Sequence, residues 1–176
     1  MKYLFMCEGP NELEVICILL KHNCLQISVD DLLGLKPYHA RQIKSSGIVQ
    51  NELNMYPGQV KIFRIGDSLN EKLIIPLIYK DKIIEVTKFC TKPELEMLLI
   101  IAENKTKEYD KVKSKIKPKI FAKQNIMCGR RYYKNDSKFY TEYFEDVHLL
   151  VNSIKEYKRI KRTHKKDELY LADLLK

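Results

Sequence analysis

Glu8 and Glu12 stand four residues apart in Glu8-Gly9-Pro10-Asn11-Glu12, Asp67 follows Gly66, and Glu94 and Glu96 follow Pro93. Carboxylates drawn from separate stretches are the donors that a hard divalent cation takes. Mg2+ prefers oxygen ligands and completes its shell with water and substrate phosphate. A cation held this way polarises a phosphoryl oxygen and acidifies a bound water. A further carboxylate nearby can serve as general base. The candidate chemistry is therefore metal-assisted phosphodiester hydrolysis. It requires a fold that gathers residues spread over the first hundred positions.

The local patterns supply such a fold. The apolar run Tyr3-Leu4-Phe5-Met6-Cys7 stops at Glu8-Gly9, which predicts a strand over residues 2–7 and a tight turn. A helix over residues 11–22 follows, apolar over most of its circumference, with Pro10 suited to its start. Glu12, one turn beyond Glu8, can face the same spot. Residues 25–29 read as a short strand, and Asp30-Asp31 as a helix N-cap region rather than a metal site. A loop-rich middle carries Pro37, Gly47, Pro57 and Gly58, with a weak helix over residues 50–55. Residues 59–65 form a second clear strand ending in Gly66-Asp67, and residues 69–78 a helix interrupted by Pro76. Residues 82–90 form a third strand, after which Thr91 caps a helix running through residues 97–102. Three strands thus each run into carboxylates. In a parallel α/β sheet these tips lie along one edge, where open sheets place their ligands.

The 176 residues suit one domain with an appendage. At 45% hydrophobic and 31% charged, the composition is globular rather than disordered. A net charge of +9 favours polyanionic partners. The five cysteines have no zinc spacing, and Cys7, Cys17 and Cys90 read as small core residues, which suits a reducing cytoplasm. No stretch reads as a signal peptide or a membrane span, so a soluble, cytoplasmic protein without membrane contact is expected. There is no GxSxG, GxGxxG or GxxxxGK[ST] motif. His148 reads as packed on an apolar helix face.

The positive charge is concentrated late in the chain. Residues 104–123 hold eight lysines, and residues 155–166 hold seven Lys or Arg. Between them, Met127-Cys128-Gly129-Arg130-Arg131-Tyr132-Tyr133-Lys134 mixes cations with aromatics, and Arg130, Arg131 and Lys134 are the candidate nucleic-acid contacts. An amphipathic helix is expected over residues 139–151, continuing toward Ile160, and the apolar end at residues 169–175 either docks back or meets a partner.

The order of these acidic motifs resembles the Toprim domain, shared by topoisomerases, bacterial primases, a small-RNA maturase ribonuclease and OLD-type nucleases. Glu8-Gly9 matches the family's Glu-Gly after its first strand, and Glu8-Gly9-Pro10-Asn11-Glu12 with Pro93-Glu94-Leu95-Glu96 is similar to small bacterial and phage Toprim-like proteins. The resemblance covers residues 1–125 and implies a small, mostly parallel α/β sheet flanked by helices. Residues 126–176 form a basic, aromatic-rich helical C-terminal extension beyond it. It further implies a Mg2+- or Mn2+-dependent nuclease acting on DNA or RNA in bacterial or phage defence, a setting in which OLD-type nucleases work beside a partner ATPase. Glu8, Asp67, Glu12 and Glu96 are then the catalytic set, and Glu8, Asp67, Asn70 and Glu96 the metal ligands. The family's Asp-x-Asp position reads Asp67-Ser68-Leu69 here, with Asn70 the nearest oxygen donor. That departure keeps a catalytically degenerate nucleic-acid-binding module open as the alternative. Also open are a homo-oligomer and a subunit of a larger assembly whose apolar tail docks on a partner ATPase.

Overall fold

The computed structural model describes residues 1–67, 71–160 and 168–176. Asn70 and most of the basic run at 161–166 lie outside the described residues. A five-stranded, fully parallel sheet is flanked by seven helices. The strands are β1 (Lys2–Cys7), β2 (Tyr38–His39), β3 (Val60–Gly66), β4 (Ile83–Cys90) and β7 (Leu169–Tyr170), in spatial order β2-β1-β3-β4-β7. Between β4 and β7 a small antiparallel hairpin pairs β5 (Met127–Cys128) with β6 (Arg131–Tyr132). The helices are α1 (Pro10–Lys21), α2 (Gly47–Met55), α3 (Met97–Ala102), α4 (Thr106–Val112), α5 (Pro118–Asn125), α6 (Ser137–Tyr143) and α7 (Val147–Ile160).

Strand alternation sorts the apolar side chains onto two faces. Leu4 and Met6 of β1 join Val60 and Ile62 of β3 in a core covered by Val49 and Leu53 of α2. Phe5, Cys7, Ile65 and Phe89 face the other way, into a larger core built with α1, α3, α5, α6 and α7. Residues after 125 contribute Tyr133, Phe139, Tyr140, Phe144, Leu150 and Ile154 to that same core.

Chain order reverses at β1. The chain leaves it for β2 on one side and returns to β3 on the other. A crevice opens outside the strand tips at such a reversal. Cys7 pairs with Ile65, and Gly66 with Cys90, so the residues after β1, β3 and β4 emerge side by side.

Several local expectations are corrected. Residues 25–29 form no strand: Leu25 makes a single bridge to Leu175, and Ser28 with Asp31 closes a capping box on a 3-10 turn at Val29–Asp31. The described part of the expected helix at 69–78 is irregular up to Pro76, then a 3-10 turn at Leu77–Tyr79. Thr91 does not cap α3, because its amide still extends the sheet by donating to the Gly66 carbonyl at 2.9 Å. The expected single helix over residues 139–160 is two. The second restarts where the Asp146 carboxylate accepts the His148 amide at 2.9 Å. Cys17 and His148 are exposed rather than packed.

The C-terminal segment docks back on its own chain. β7 extends the sheet beside β4, and Tyr170, Leu171, Leu174 and Leu175 are buried in the larger core. Of the two alternatives for this apolar end, the structure has it docked back in the chain's own core. Among the described residues no helix is long and apolar enough to cross a membrane. Leu171→Ala should lower stability by about 2–5 kcal/mol, read as a reduced midpoint in urea unfolding. An unchanged midpoint would show that the tail does not belong to the core.

Candidate active site

The parallel register explains how the acids meet. The Glu8 amide donates to the Ile65 carbonyl at 2.9 Å, continuing the β1–β3 ladder by one residue. Glu8 therefore lies against Gly66, and a Cβ there would come within 2.1 Å of Glu8 Oε2. A glycine at the tip of β3 is what lets the carboxylate lie across it. Glu12, in the first turn of α1, folds back in the same way: a Cβ on Gly9 would meet its Oε2 at 2.6 Å. Two glycines thus clear the floor for two carboxylates.

Glu8, Glu12, Asp67, Glu94 and Glu96 line one cleft of about 220 Å³, together with Asn11, Arg41, Lys119 and Asn135. All four sequence-predicted catalytic residues are brought together. Glu8, Glu12 and Glu96 are buried and Asp67 is half-buried. Burial pushes the Glu12 carboxyl up to about 7, reinforced by the negative charges of Asp67, Glu96 and Glu8. Burial raises Glu96 also, opposed by a hydrogen bond that Tyr133 donates to its Oε1 at 2.7 Å.

Several residues that hold the cleft escape a reading of the chain alone. Tyr133 is buried between Glu96 and Asn11, accepting from Asn11 Nδ2 at 3.1 Å while it donates to Glu96. Asn11 Nδ2 also reaches Asn135 Oδ1 at 3.2 Å. The Thr91 hydroxyl donates to Glu12 Oε1 at 3.5 Å. Arg41 Nε donates to the Glu8 carbonyl at 3.2 Å, and Lys119 acts electrostatically on Glu96. Glu94 turns toward α5, accepting the Lys119 amide at 2.8 Å near that helix's N-terminus, where the dipole favours an anion. Of these, Glu94 is a candidate carboxylate in the sequence, Thr91 reads there as a helix cap, and Asn11 and Tyr133 fall inside stretches singled out for other residues.

The basic candidates separate. Arg130 and Lys134 are exposed on the hairpin. Arg131 is engaged instead: it pairs with Asp136 at 2.9 Å and Glu142 at 2.6 Å, and its guanidinium lies 5.4 Å from the Phe139 ring centre. Its charge holds α6 to the hairpin.

The donors suit a hard cation, being carboxylate oxygens without soft ligands. Asn11 Oδ1 adds a buried oxygen without a hydrogen-bond partner among the described residues. Among those residues no three acidic, His or Cys side chains already stand in chelating positions. An ion of the Mg2+ kind takes as few as one or two carboxylates and fills its shell with water and phosphate, so the donor chemistry is of the right type without a ready-made chelating set. Comparison of the chain with protein-family models, with curated proteins and with solved structures returns no match.

The raised Glu12 gives a pH signature. Its native pKa lies above the ordinary 4.5, so the folded state holds an extra proton between 4.5 and about 7. Stability contributed by this group falls as pH rises through that window. Without divalent cations, Glu12→Gln should be more stable than wild type near pH ~8, by up to about 3 kcal/mol. The difference should vanish toward pH ~4. Urea unfolding at both pH values checks this, and a pH-independent difference would show that the carboxylates do not share a desolvated cleft.

Proposed function

We propose that this chain is a Toprim-like, divalent-metal-dependent phosphodiesterase acting on nucleic acid. The observation that carries this reading is the gathering of Glu8, Glu12, Asp67 and Glu96 into one cleft at the C-terminal edge of a parallel sheet. Glu8 and Asp67, at the tips of neighbouring strands, would hold Mg2+ or Mn2+, with Glu96 available to complete the shell. When bound, the ion would polarise the phosphoryl group and acidify a water.

The chain's own groups do the rest. Glu12, poised near 7, changes protonation within the working pH range and is the general base that takes the proton of the attacking water. As the water oxygen bonds to phosphorus, the bond from phosphorus to the leaving oxygen breaks. Arg41 and Lys119, which line the cleft, neutralise charge gathering on the phosphoryl oxygens. Tyr133 keeps the Glu96 carboxylate oriented, and Thr91 does so for Glu12.

A second reading has its own support. Asp67 lacks a second aspartate two positions on, and the described carboxylates form no ready-made chelating set. A degenerate module would bind nucleic acid without cutting it. Titration calorimetry with Mn2+ and a nuclease assay separate the two. The nuclease reading expects wild-type Mn2+ binding that Glu8→Gln abolishes, with cleavage lost and the fold intact. It expects Glu12→Gln to keep the ion but lose about 100-fold or more in turnover. Cleavage retained in Glu8→Gln would sink the nuclease assignment. Failure of wild type to bind the ion, with oligonucleotide binding kept, would favour the degenerate module.

A further inference from the structure

We propose that the outer face of the β5–β6 hairpin is a stacking platform that leads single-stranded nucleic acid into the acidic cleft. Alternation along the chain divides this segment between two tasks. Arg131 pairs with Asp136 and Glu142 at the surface, and Tyr133 points inward to Glu96. Tyr132 and Lys134 point outward. Tyr132 is 48% exposed, and its cross-strand partner Met127 is 37% exposed, so the two share an exposed apolar face. Arg130 at the turn and Lys134 beyond the strand are exposed on either side. Neither has an ion-pair partner among the described residues.

An exposed aromatic flanked by cations suits a base and its phosphates: the ring stacks on the base, and the cations meet the backbone. Stacking of this kind needs a base whose face is free, which a duplex interior withholds. The chain runs on from the hairpin into the acidic cleft, which has a volume of about 220 Å³. Asn135, next to Lys134, lines the cleft and accepts from Asn11. Tyr132 is three residues back, about 10 Å of extended chain. The direction of delivery rests on the cleft being a phosphodiester site, whereas the platform itself does not.

The test is fluorescence anisotropy with labelled oligonucleotides of about 12 nucleotides, as single-stranded DNA, single-stranded RNA and the matching duplexes, all in EDTA. Single strands should bind more tightly than duplexes. Tyr132→Ala should lower single-strand affinity by about tenfold, Tyr132→Phe should restore it, and duplex binding should not change. Replacing Arg130 and Lys134 together by Ala should reduce the salt dependence by about two units. Binding of either polymer in this pattern supports the platform, and the preferred one identifies the sugar. Wild-type affinity in Tyr132→Ala, tighter binding of duplex, or no binding of any oligonucleotide would overturn it. Because no cation is present, Tyr132-dependent binding without cleavage in Mg2+ would reject the nuclease and keep the platform.

Discussion

Burial of several carboxylates in one desolvated cleft is the constraint on which the rest of the structure depends. Glu8, Glu12 and Glu96 are buried together, with Asp67 beside them. Burial of a carboxylate is costly, like charges nearby add to that cost, and the sum appears as the proton that Glu12 keeps up to about 7. Neighbouring groups reduce that cost. Tyr133 and Thr91 donate to two of the carboxylates, and Lys119 acts on Glu96. Glu94 escapes the crowd by turning to the amides of α5. Such a concentration of acid costs stability, and perturbed carboxylates of this kind cluster at functional sites.

The sheet makes this concentration possible through register rather than through loops. A pairing slip of one residue between β1 and β3 would move Glu8 off Gly66 and turn its side chain to the other face. Arg64, buried on β3, ties two loops near the strand tips by donating to the carbonyls of Glu71 and Arg41. Arg41 in turn donates to the Glu8 carbonyl. The rim is therefore anchored to the same strand whose tip carries Asp67.

How much was legible follows from what each signal encodes. Tyr3 to Cys7, the residues before Gly66 and those before Cys90 are β-rich runs of fixed period, so β1, β3 and β4 and the carboxylates at their tips could be read directly. The parallel arrangement followed from placing acids after each strand. Other features depend on distant partners that no local pattern encodes. Thr91 has the chemistry of a helix cap, yet the sheet claims its amide. Arg131 has the chemistry of a phosphate ligand, yet Asp136, Glu142 and Phe139 surround it. Residues 169–175 read as spare apolar surface because the core that receives them is assembled from the whole chain.

The same reasoning bears on the C-terminal third. A basic extension appended to an acidic domain would bring charge near the site without fixing its position. Here the connection is rigid. Tyr133 packs on Phe139 and Tyr140 while bonding Glu96, and the residues before and after it face solvent with the opposite chemistry. One extended segment thus bonds the acidic cluster through Tyr133 on one face and exposes Tyr132 and Lys134 on the other.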